Sequence, residues 1–184
     1  MSDSDVFIIS VVQSANPSEA IRQAIEHAEV DSSRVQDVVF GLDKSHSVDA
    51  DEILSTSALT SSTAAVTPGL RAAFFAAQSI LSGDADVVIV IGTGDDVSTA
   101  ILLASPDAVG RWNLMPNARL AARSLTGVAS ALHMAGIELK DVDVTKDGRN
   151  GVTLIREAVE ELERQSARWG MVATGDLALL IERL

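Results

Sequence analysis

The chain of 184 residues contains no cysteine, no tyrosine and only 3% aromatic residues. Without cysteine there are no disulfides, no thiolate metal ligands and no cysteine nucleophile. Scarce aromatics leave no platform for stacking nucleobases, so the core has to be assembled from Ala, Val, Ile and Leu. Positive charge is short as well: 14 Lys and Arg against 26 Asp and Glu give a formal net charge of -12. That balance repels polyphosphate and offers no basic cluster to follow a nucleic-acid backbone or an anionic bilayer, so neither is an expected partner. No apolar run approaches the roughly 20 residues that span a bilayer. The opening "MSDSD" is acidic where a targeting leader is basic, and the expectation is a cytoplasmic protein.

Hydrophobic residues make up 47% of the chain, enough for one compact domain with a substantial core. "DVFIISVV" (5–12) is apolar throughout and too short for a helix, which predicts a strand covered on both faces. Asn16 and Pro17 supply a cap and a first-turn residue for a helix with Ala20, Ile21, Ala24, Ile25 and Ala28 on one face. "VQDVVFG" predicts a second strand, and residues 50–58 a weak helix. Thr67 and Pro68 then open a helix through Ser82 that is apolar nearly all round, hence buried. Strands follow at 86–92 and 99–104, separated by the acidic turn "TGDDVS". Later segments predict a helical turn at "PDAVGRW", a strand or helix start at "ARLAAR" and a helix ended by Gly136. A short strand "VDVT", an amphipathic helix from Asn150 and two closing strands complete the chain. Alternation of strand and helix throughout argues an α/β fold with a largely parallel sheet.

An internal repeat emerges when these elements are laid side by side. Ala24, Ile25, Ala28, Val30 and Val35 match Ala131, Leu132, Ala135, Ile137 and Val142 at an offset of 107 residues. Gly69, Leu70, Ala76 and Ile80 match Gly151, Val152, Ala158 and Leu162 at an offset of 82. The expectation is a single domain, 1–184, of two pseudo-repeats at about 1–104 and 105–184, the second shorter by 25 residues before its last helix.

"GLRAAFFAAQSILSGDADVVIVIG" resembles the thiolase superfamily, as do "AIEHAEVDSSRVQDVVFG", "STAILLASPDAVGRWNLMPNARLAA", "ALHMAGIELKDVDV" and "GMVATGDLALLIERL", in the family's order. The resemblance implies a thiolase-like fold of duplicated halves, layered α-β-α-β-α, with mixed, mainly parallel sheets. It implies a nucleophilic cysteine just before the helix containing Gly69, where a helix N-terminus favours the thiolate. Val66 stands at that place. The family's His-Gly-Pro-like segment would fall in the shortfall between Thr145 and Gly151, its Asn-Glu motif is replaced by "TKDG", and its late cysteine by "VATGD". The loop region that supplies much of the family's coenzyme A pocket is reduced to "TGDDVS". Joint loss of nucleophile, base and cofactor cradle predicts a catalytically silent protein with no cofactor and no catalytic, cofactor-binding or metal residues.

Substitute groups are few. Thr67 reads as a helix N-cap rather than a nucleophile. Ser61, Ser62 and Thr63 read as an edge strand. His46 beside Asp43, Asp49 and Asp51 reads as a solvated loop, since the spacing fits no ligand pattern. His27 and His133 fall on polar helix positions, and Asp95 and Asp96 on a tight turn.

Three functions are expected in order: association, as a homodimer through the strand near Ser61 to Val66 or as auxiliary subunit of a thiolase-type acyl-CoA enzyme; a module binding acyl-CoA or pantetheine in a cavity near Val66, Gly92 and Gly175; and an acyltransferase-related enzyme with a non-standard site.

Overall fold

The computed structural model describes residues 5–42, 47–59, 62–94, 96–148 and 151–184. The apolar run near the start is strand β1 (Val6–Ser14). Asn16 then caps helix α1 (Pro17–His27), its side-chain oxygen accepting the Glu19 amide at 2.9 Å, and Pro17 sits where a helix needs no donor. The chain continues through β2 (Asp37–Leu42), α2 (Ala50–Thr56), β3 (Thr63–Pro68), α3 (Arg71–Ser82), β4 (Val87–Thr93) and β5 (Ser98–Ala104). After α4 (Pro106–Trp112) come β6 (Ala118–Ser124), α5 (Val128–Ala135), β7 (Val144–Asp147), α6 (Gly151–Gln165), β8 (Trp169–Thr174) and β9 (Leu177–Arg183).

All the described strands join one sheet in the order β3-β2-β4-β5-β1-β6-β9-β8-β7. β2 runs parallel to β3 and β4, and β7 to β8; β5 and β9 are antiparallel to both of their neighbours. Each half therefore holds all but one of its strands in a common direction. The halves meet in a short antiparallel ladder, Val6 opposite Leu120 and Ile8 opposite Ala118, so the two expected sheets are continuous. Outward from that ladder the halves run β1-β5-β4-β2-β3 and β6-β9-β8-β7, the second stopping one strand earlier. The 3-10 turns Ser32–Arg34 and Leu139–Asp141 lie 107 residues apart, as do the starts of β2 and β7, while β4 and β8 start 82 apart.

Three apolar clusters build the layers. α3 and α6 share the central one, where Ala72, Ala76, Val152 and Ile155 pack with Val88 and Ile101 of one half and Val172 and Leu179 of the other. α1 closes the outer face of the first half, placing Ala20, Ile21 and Ala24 against Phe7, Ile89 and Leu102. α5 closes the outer face of the second with Leu132 against Ala122 and Leu180. The result is the layered α-β-α-β-α arrangement. An ionic cluster ties β1, β6, β9 and the start of β8 at the seam. Buried Glu182 accepts from Arg119 Nε at 2.6 Å and Arg168 Nε at 2.8 Å, and Arg119 Nη1 donates to Asp5 at 2.7 Å. Burial works to raise the Glu182 pKa, but the hydrogen bonds from the two guanidinium groups outweigh it and hold the carboxyl below its ordinary value.

Two expectations are corrected. α3 is not buried all round: Arg71, Phe75 and Gln78 face solvent, Phe75 with 58% of its surface exposed. The helix packs across β2 and β4, with the edge strand β3 beside them, and no described element covers its outer face. Thr67 is not a helix cap. It belongs to β3, opposite Gly41, and the chain turns only at Gly69 (φ 45°), so the helix begins after Leu70 without a side-chain cap. Parallel pairing with β2 has overridden a local helix-start signal.

Candidate functional site

The N-terminal ends of α3 and α6 approach each other above the ends of β2 and β4. Val66 stands on β3 with 55% of its surface exposed, three residues before the Gly69 turn. Beneath it the backbone is packed without slack. A Cβ on Gly41 would lie 2.6 Å from the Gly69 carbonyl oxygen, one on Gly92 2.5 Å from Val152 Cβ, and one on Gly151 2.5 Å from the Leu70 nitrogen. Each of these glycines is required because another main chain or a helix-borne Cβ occupies the space. Val152 fills the room above Gly92, so the helix ends meet as packed surface.

Polar groups near this junction are hydroxyls. Thr99 and Thr153 share a hydrogen bond of 3.2 Å, and the Thr93 hydroxyl is buried with no partner among the described residues. Among the described residues none of these hydroxyls hydrogen-bonds an acid, a base or an imidazole that could activate it. His27 and His133 are exposed on α1 and α5, and Asp96 is exposed between β4 and β5. Asp49 caps α2, accepting the Glu52 amide at 3.0 Å, and Asp51 is exposed in the first turn of that helix. His46, Asp43, Asp95, Ser61 and Asn150 lie outside the described residues. Among the described residues no group of three or more His, Asp or Glu could hold a metal ion, and no helix is long and apolar enough to cross a membrane.

Two further surfaces escaped sequence reasoning. One is a cavity of about 350 Å³ between the outer face of α3 and the β6–β9 end of the sheet, walled by Phe74, Phe75, Leu125 and Leu177 and carrying Arg71, Gln78 and Arg123. The other, about 380 Å³, lies where Arg34 stacks 4.5 Å from the centroid of Trp112. Neither is lined by Val66, Gly92 or Gly175, the three residues expected around an acyl channel. No local signal in the sequence brings Arg71 and Arg123 together.

Neither a protein-family model nor a curated protein matches this sequence. Solved structures do match. Human mitochondrial 3-ketoacyl-CoA thiolase in complex with CoA superposes with a TM-score of 0.88, covering 98% of this chain and 98% of that one at 12% identity. The fold is thiolase-like. A second structure of the human mitochondrial thiolase gives 0.87 at 12% identity, covering 99% and 100%. Acetyl-CoA acetyltransferase of Bacillus anthracis gives 0.81 at 12%, covering 98% and 99%. At this identity the likeness establishes the thiolase-like architecture alone, and chemistry has to be argued from the residues present.

Proposed function

We propose that this chain is a thiolase-fold protein without thiolase chemistry, acting by association as a homodimer through β3 or as an auxiliary subunit of a thiolase-type acyl-CoA enzyme. The observation that carries this reading is the contrast between the two edges of the sheet. β7 is four residues long and ends in Lys146 and Asp147, charges that blunt an edge. β3 is six residues long, "TAAVTP", uncharged and exposed or half-exposed along its length. Thr63 N–H donates to the Gln36 carbonyl at 2.8 Å and Gly69 N–H to the Leu42 carbonyl at 3.0 Å. Alternation along the strand then leaves the N–H and C=O of Ala64 and Val66 on the open side. The strand is held ready for pairing: Ser62 Oγ donates to the Val35 carbonyl at 2.6 Å, and Asp37 accepts from the Thr63 hydroxyl and, at 2.8 Å, from Ser79 Oγ.

Silence in acyl transfer follows from Val66, an isopropyl group at the place the resemblance gives to the nucleophile. The matching order of elements in the two halves supports descent by duplication, with pseudo-repeats at about 1–104 and 105–184, the second having lost its outermost strand. Sedimentation equilibrium of the purified chain, with an acetoacetyl-CoA thiolysis assay alongside, tests the reading. A dimer without turnover is expected; turnover above background, or a monomer at every concentration that also binds no thiolase-type enzyme, overturns it.

A further inference from the structure

The cavity beside α3 is built around two guanidinium groups that no described residue neutralises. Arg71 and Arg123 both line it, neither has a carboxylate or hydrogen-bond partner among the described residues, and no acidic side chain is among the lining residues. In a chain of net charge -12 that is selective: Arg22, Arg156 and Arg164 each pair with a glutamate, at Glu19, Glu160 and Glu161.

Arg123 is also aimed by a specific irregularity. The β6–β9 ladder shifts register between Leu120 and Ala122. Leu120 packs in the central cluster and Ala122 in the outer one, so Arg123, opposite Leu179 of the central cluster, is turned towards the α3 side. In an unbroken strand alternation from Leu120 would turn it outward. Half-burial disfavours its charged form and lowers its pKa, the expected cost of a cation without a counter-ion.

The geometry points to a binding site for a small amphipathic anion, whose carboxylate or phosphate head is held by Arg71 and Arg123 while its acyl or aromatic body lies against Phe74, Phe75 and Leu177. A guanidinium fork suits either head group, and the volume of about 350 Å³ falls within the roughly 300–1,000 Å³ of small-ligand pockets. This inference stands apart from the association reading, since the site uses neither β3 nor a second chain.

The test is calorimetric titration of the full chain with decanoate, decyl phosphate, 1-decanol and acetate. Decanoate or decyl phosphate saturates one site per chain, and which of them binds more tightly separates the two head groups; decanol and acetate bind at least about tenfold more weakly. Loss of a charge-assisted bond predicts that Arg123→Gln weakens the anion about 10- to 150-fold, with Arg123→Lys intermediate. Equal binding of decanol and decanoate, or no saturable binding of either anion, overturns the proposal, and this comparison on the unmodified chain decides even where a variant fails to fold. A variant Arg123→Gln that keeps its anion affinity but changes in sedimenting mass overturns it too, because the guanidinium then answers to a second copy.

Discussion

Replacing Ala64 by proline isolates the edge of β3 as an assembly surface. The Ala64 N–H faces away from β2, so the substitution removes no hydrogen bond within the chain, and proline is tolerated on an edge strand with its nitrogen outward. The fold is expected to change in stability by no more than about 1 kcal/mol. In a two-fold antiparallel pairing that sets Ala64 opposite Val66 of the partner subunit, the same substitution removes one donor from each strand and leaves two carbonyl groups unpaired. At ~1–3 kcal/mol for each unsatisfied buried group, the dimer loses about 2–6 kcal/mol. That corresponds to a roughly 30- to 20,000-fold weaker association. Sedimentation velocity over a concentration series, with a thermal unfolding midpoint on the same samples, reads both quantities. A folded Ala64→Pro protein of unchanged mass refutes the assignment of β3 as the interface.

Three further outcomes are expected. Glu182→Gln leaves Arg119 and Arg168 without their shared carboxylate and costs about 2–3 kcal/mol in denaturant unfolding, less than a fully buried pair because Arg168 is largely exposed. Because the Glu182 pKa is lowered by folding, its contribution is complete above the unfolded-state value and is lost as pH falls through the folded one; the native chain should lose stability below about pH 4.5 more steeply than the variant, and parallel acid profiles would refute this. Gly92→Ala drives a methyl into Val152 Cβ and destabilises by about 1–3 kcal/mol, and Val152→Ala does not rescue it because the Cβ remains. Thr67→Ala changes stability by less than about 0.5 kcal/mol, whereas loss of a genuine cap would cost ~1 kcal/mol in the same unfolding measurement.

Element type and order were legible from the sequence because the signals are local. Asn16 with Pro17 starts a helix wherever the chain lies, and Gly136 ends one because a left-handed residue is needed there (φ 68°). Runs such as "DVVIVIG" state by composition that both faces of a strand are covered, and β4 is buried throughout. The absence of cysteine excluded a thiolate at Val66, the place the resemblance gives to the nucleophile. Tertiary structure decided the rest. Thr67 became a strand residue because β2 offered it a parallel partner, and Phe75 stayed exposed because no described element covers the outer face of α3, a fact no helical periodicity encodes. Arg71 and Arg123 face one cavity only because a register shift turns β6 by one residue. Hydrogen bonding and periodicity act over a few residues and can be read from the chain, whereas the choice of neighbour across a sheet depends on all the elements at once.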